Sequence, residues 1–198
     1  ILNYLLSHRD IDAGGIYIVD EESKSLILKK SAGLNNEFIQ NATYFDSNSP
    51  QAKMVNKGKP IFKPYNKLIE NYKEGFRIKT GLKAIGIIPL LHKNKVIAAI
   101  NLASYSYEEF SEHTIKILKY IPAQFGSAFA RTIAENKLKQ SEEKFRSFVE
   151  NTNIAVYETN LEGDIIYANQ ASLKLGEFDT EEELYKKGAV AIYKNPNE

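Results

Sequence analysis

The chain has 198 residues, 43% of them apolar, so it can build one large core or two small ones and is not globally disordered. Its 26 lysines and arginines stand against 25 aspartates and glutamates, a net charge of +1 that offers no basic footprint for nucleic acid and no polybasic patch for a membrane surface. The absence of cysteine removes disulfides, thiolate metal sites, thioether-linked cofactors and cysteine nucleophiles, and fits a cytoplasmic location.

In chain order, Ile1, Leu2, Leu5 and Leu6 have helical spacing, and Ile1 reads as the continuation of an upstream helix, so the chain is expected to be a piece of a longer protein. Residues 16–19 read as a strand, 20–25 as a polar turn and 26–30 as the antiparallel partner. A short helix is expected over 35–41. A second starts at Ser49-Pro50, with serine as cap and proline in the first turn, and stops at Gly58. Residues 60–63 form a short strand, and 65–81 a mixture of helix and loop. The strongest strands are 83–91 and 96–105, joined by a tight turn over 92–95. Their continuous apolar character requires cover on both faces, which puts 96–102 and 16–19 near the centre of an antiparallel sheet. The longest apolar runs, 84–91 and 96–99, are far shorter than the ~20 residues a membrane span needs. Strict alternation puts Val96, Ala98, Ile100 and Leu102 on one face and Ile97, Ala99, Asn101 and Ala103 on the other. The second face is small, so a helix lies close to it or a pocket opens there.

From Ser111 to Asn151 the chain reads as one helix, about 60 Å long if unbroken. An apolar stripe (Ile115, Leu118, Phe125, Phe129, Ile133) runs beside a small one (Ala123, Gly126, Ser127, Ala130, Ala134). The small stripe is expected to lie on the small face of the sheet, and Pro122 to kink the helix. Beyond Glu135 the composition turns charged, with Leu138, Phe145, Phe148 and Val149 as sparse apolar positions. A hairpin over 155–167 turns at Asn160-Leu161-Glu162-Gly163, a helix follows over 168–175, and Thr180 with Glu183 marks another helix start.

Two stretches resemble known families. GIYIV at 15–19, Gly33-Leu34, Gly58-Lys59-Pro60-Ile61, Ile88-Pro89-Leu90, the strand 96–102 and Phe110-Ser111 occur in the order seen in GAF domains. SEEKFR at 141–146, the segments 148–151 and 154–158, Glu162-Gly163-Asp164-Ile165, Tyr167-Ala168-Asn169 and Leu175-Gly176 resemble the start of a PAS domain, of which only the first part is present. The resemblance implies an α+β fold: a GAF-like antiparallel sheet with flanking helices over 1–135, a helical linker over 136–150 and an incomplete PAS-like hairpin with helices over 151–198.

The chemistry-bearing residues are sparse. His8, His92 and His113 lack metal-site spacing, and Asp20-Glu21-Glu22 lacks the further oxygen ligands of a calcium loop. The S-x-x-K match at 141–144 falls on an exposed charged helix. In the polar, aromatic segment 65–81, Tyr65, Tyr72 and Phe76 can line a pocket, with Arg77 or Lys79 to meet an anion. Tyr17, Phe62 and Asn101 complete the candidate ligand site. GAF domains that bind cyclic nucleotides carry an asparagine–lysine, phenylalanine and aspartate–glutamate pattern. Asn56-Lys57 and Phe76 match it, but no Asp-Glu pair follows, which argues against that ligand.

The reading that follows is a cytoplasmic signal-sensing region of a multidomain protein, a histidine kinase in the first place and a transcription regulator or cyclase in the second. It has no catalytic residues of its own, no metal and no covalent cofactor, and takes at most a non-covalent small molecule. Its partners are a second copy, through the helix between Ser111 and Asn151, and a downstream output domain. The alternative is a structural dimerisation module without a ligand.

Overall fold

The computed structural model describes residues 1–69 and 81–188. Its elements are α1 (Leu2–Leu5), β1 (Ala13–Val19), β2 (Leu26–Ala32), α2 (Asn36–Ala42), β3 (Tyr44–Phe45), α3 (Pro50–Asn56), β4 (Ile61–Pro64), α4 (Tyr65–Ile69), β5 (Ala84–His92), β6 (Lys95–Ser104), α5 (Glu112–Asn151), β7 (Tyr157–Thr159), β8 (Ile165–Ala168), α6 (Gln170–Gly176) and α7 (Glu181–Lys187). They divide into two compact units, 1–133 and 134–198, and α5 begins in the first and ends in the second.

In the first unit six antiparallel strands run in the order β3-β2-β1-β6-β5-β4. The two strands expected at the centre, β1 and β6, are the central pair. The turn between β5 and β6 is Lys93-Asn94, both at positive φ (48° and 63°), the geometry whose twist matches that of the flanking strands. Pro89 pairs with Ala99 of β6, while β4 reaches only as far as Ile87. The residue that cannot donate to a ladder therefore stands beyond the end of a short neighbour. Local signals act as read from the sequence: Asn35 Oδ1 accepts from Phe38 N, and Ser49 Oγ from Ala52 N with Pro50 in the first turn.

Each face of this sheet is covered. On one, Ile88, Leu90, Ala98, Ile100 and Leu102 pack against Leu2 and Leu5 of α1 and Leu118 and Ile121 of α5. On the other, Tyr17, Val19, Ile87 and Ala99 meet Ala52, Met54 and Val55 of α3 and Leu68 of α4. Leu118 is wholly buried; truncating such a side chain to alanine costs about 2–5 kcal/mol.

Two expectations about these faces are corrected. First, α5 lies on the face of the larger residues, not the small one. Its small stripe is largely exposed, with Ala123, Ser127 and Ala134 facing solvent. Gly126 is the exception. A Cβ there would fall 2.2 Å from the Leu91 carbonyl oxygen, so only glycine lets the helix meet the end of β5. Second, alternation along β6 fails at its start. The β5–β6 register shifts between Leu90 and Leu91, and the extra residue turns Ile97 toward the α5 side and Val96 toward α3. The helix runs on through Pro122, which has no N–H to give the Leu118 carbonyl.

The segment between α1 and β1 fixes the start of α5. Asp10 is buried, and its Oδ2 accepts from Ser111 N and its Oδ1 from Thr114 Oγ1, each at 2.7 Å. Burial alone would raise the Asp10 pKa. The backbone N–H of Ser111 and the Thr114 and Ser111 hydroxyls outweigh that and hold it below the ordinary value of 3.8. Asp12 is held down in the same way, against burial, by Ser104, Tyr105 and Ser106.

The second unit is small. The β7–β8 hairpin turns at Gly163 (φ 91°), and Ile165, Ala168, Leu173 and Leu184 form its core with Tyr157, Phe178 and Tyr185 alongside. Asn169 caps α6 through Ser172 N, and Thr180 caps α7 through Glu183 N. In this hairpin Ile165 is buried by α6 and α7, whereas Ile166, and Ile154 before the hairpin, are exposed. On α5, Leu138, Phe145 and Phe148 are 61%, 70% and 72% exposed.

Candidate ligand cavity

The face of the central strands turned away from α5 is paved with small side chains. Ala13, Gly15 and Tyr17 of β1 stand opposite Ala103, Asn101 and Ala99 of β6, and Asn101 has Ile87 of β5 on its other side. Above this floor, Phe38 of α2, Phe45 of β3, Met54 of α3 and Tyr65 of α4 form walls, leaving a cavity of about 370 Å³. That lies at the lower end of the ~300–1,000 Å³ typical of small-molecule sites.

No described residue lining the cavity carries a charge. Tyr17 is buried, its ring 5.6 Å from that of Phe45 with planes at 41°. Burial pushes its phenol well above the usual range, with no charge or hydrogen bond as a further cause, so the hydroxyl stays protonated and available as a donor. Asn101 is the unusual group. Its Oδ1 is enclosed and has no hydrogen-bond partner among the described residues. The reason is visible in the register: the neighbours across the ladder are a glycine and an isoleucine, neither of which has a polar side chain to offer. An amide left so costs about 1–3 kcal/mol.

Of the residues picked out from sequence, Tyr17, Tyr65 and Asn101 come together at this cavity. Phe62 does not. In the four-residue β4 it is Ile61 that packs on the cavity side. Phe62 turns to the α5 side, where its ring lies 6.3 Å from Phe110 and over Gly86. Tyr72, Phe76 and Arg77 lie outside the described residues. Phe38, Phe45 and Met54 were not foreseen, since they come from short elements whose apolar pattern is weak; the small face of residues 96–103 was the signal that led to the floor. Among the described residues, no group of three histidines or carboxylates is placed to hold a metal ion, and no helix is long and apolar enough to cross a membrane.

The family model for the GAF domain matches residues 1–130. The chain belongs to the GAF domain family. Solved structures agree on the fold. A GAF domain from an Acinetobacter phosphoenolpyruvate-protein phosphotransferase superposes with a TM-score of 0.53 at 20% identity, covering 67% of this chain and 80% of that one. The GAF domain of a two-component sensor histidine kinase from Bacillus halodurans gives 0.53 at 15%, covering 68% and 91%. A domain of a putative two-component sensor histidine kinase from Sinorhizobium meliloti gives 0.51 at 20%, covering 70% and 92%. No curated protein sequence matches the chain. The GAF match covers the sheet, the cavity and the start of α5.

Proposed function

We propose that this region senses a small molecule in the GAF cavity and relays its presence along α5 to a downstream output domain, with a cytoplasmic sensor histidine kinase as the parent protein and a transcription regulator or cyclase as the other settings. One observation carries the reading: β6 serves the cavity and the helix at once. Asn101 and Ala103 line the cavity, while Ala98, Ile100 and Leu102 touch the surface that holds Leu118 and Ile121. A ligand that prefers one arrangement of this strand thereby biases the helix, by no more than its difference in affinity for the two arrangements. The second unit is proposed as the opening of a PAS domain.

The test is to extract small molecules from the purified protein by denaturation, identify them by mass spectrometry, and repeat with Ala103→Leu, which fills the cavity floor. A molecule retained by the unaltered protein and lost from a variant that still melts cooperatively is the expected result. Equal recovery from both places the molecule elsewhere.

The exposed side chains of α5 favour a second reading, a homodimer formed through the helix, which can operate with or without a ligand. Leu138 and Phe145 are seven residues apart and Phe148 three further on, so all three lie on one face. Phe145→Glu combined with Phe148→Glu is expected to shift a dimer to monomer in sedimentation. A monomer before mutation at high micromolar concentration removes the dimer.

A further inference from the structure

The chemistry of the cavity narrows what can occupy it. Its described lining has aromatic rings, aliphatic side chains, the phenols of Tyr17 and Tyr65, the carboxamides of Asn41, Gln51 and Asn101, and no charged group. An anion placed here would lose its hydration with no cation among the described residues to replace it. On the sheet floor Asn101 is the one residue that carries a donor and an acceptor side by side, and half a turn of its amide exchanges them. Its ladder neighbours Gly15 and Ile87 leave it without a side-chain partner, and Oδ1 takes no hydrogen bond from the described residues.

We propose that the cavity takes an uncharged, planar ring system with an amide-like edge, a lactam or a nitrogen heterocycle with adjacent N–H and acceptor atoms, read by two parallel hydrogen bonds to Asn101 while the ring lies among Tyr17, Phe45 and Phe38. The inference rests on the cavity being a ligand site and adds to it the class of ligand. The two hydrogen bonds give the polar specificity. The aromatic walls supply area without demanding one particular molecule.

Three probes of one ring size separate the possibilities: carbostyril, a bicyclic lactam; N-methylcarbostyril, which lacks the N–H; and naphthoate, which carries a negative charge. Ligand-observed NMR titration of the full chain gives their relative affinities. Carbostyril is expected to bind at least about tenfold more tightly than N-methylcarbostyril, the loss of one well-placed hydrogen bond. Asn101→Leu is expected to abolish that difference while leaving N-methylcarbostyril bound. Equal affinity of the two neutral probes in the unaltered protein overturns the amide-edge reading and leaves an apolar ligand site standing. Tightest binding by naphthoate overturns the uncharged class. Binding of no probe at all removes the ligand site and this inference together. The comparison between probes in the unaltered protein decides the matter whether or not the variant folds.

Discussion

Asn169 in the second unit is fully buried and its side chain makes five hydrogen bonds; Asn101 in the first has an enclosed Oδ1 that makes none with the described residues. Asn169 Nδ2 donates to the carbonyls of Val149 and Ile154, and its Oδ1 accepts from Val156 N, Ser172 N and Ser172 Oγ. It thus joins the end of α5, the start of the hairpin and the first turn of α6. The same side chain can therefore be a staple or an open reading head, and what separates the two is whether the backbone nearby has unpaired groups to offer. Around Asn169 the chain changes direction and leaves several free. Around Asn101 the ladder has already used them, and only side chains could help.

The largest effect that would test this contrast is Asn169→Leu. It leaves two carbonyls and two N–H groups without the partner that joined them, and is expected to cost the second unit about 3 kcal/mol or more. Hydrogen exchange over 155–168 would rise strongly, with the β1–β6 ladder unchanged. A loss under about 1 kcal/mol would end the description of Asn169 as a staple.

An intermediate effect is expected at Asp10. Asp10→Ala removes charged hydrogen bonds to the start of α5 and should cost the first unit about 2 kcal/mol at neutral pH. The pH dependence has a definite sign. The folded pKa values of Asp10 and Asp12 are depressed, so their contribution is present above the ordinary value of 3.8 and is lost as pH falls through the lower folded values. Acid should therefore loosen the contacts of Ser111 and Tyr105 in the unaltered protein, and the acid-dependent part should shrink in Asp10→Ala. An unchanged acid profile would remove Asp10 from this role.

The smallest effect belongs to Asn101→Leu measured without ligand. Replacing an unpartnered amide by an apolar group of similar size should leave stability unchanged or raise it by up to about 1 kcal/mol. A loss of about 2 kcal/mol would make Asn101 structural after all, and the two asparagines alike.

Much of this architecture was legible in the sequence, where local rules suffice. The two-sided apolar pattern placed β1 and β6 at the centre, Ser49-Pro50 started a helix, and the small face carrying Ala99, Asn101 and Ala103 marked a place for a helix or a pocket. Legibility ended where a single residue decides a face or where partners are far apart. One extra residue near Ile97 reversed the start of β6, and in a strand as short as β4 one step separates the cavity from the α5 side for Phe62. Asp10 meets Ser111 across 101 positions, and nothing in the local pattern of either announces the other. The side that α5 takes also followed from tertiary packing: the bulkier residues of the sheet needed its cover, and the small ones were left as a floor.

The ends of the six-stranded sheet set a limit on how copies of this protein can meet. One edge is β3, two residues long; the other is β4, four residues long and closed by Pro64. Neither gives an incoming chain a run of free backbone groups long enough to template a further strand. Strand addition onto β3 or β4 themselves is thereby disfavoured. Side-chain surfaces of the helices, which can be tuned one residue at a time without disturbing the ladder, remain as the route by which such a domain can associate and stay reversible.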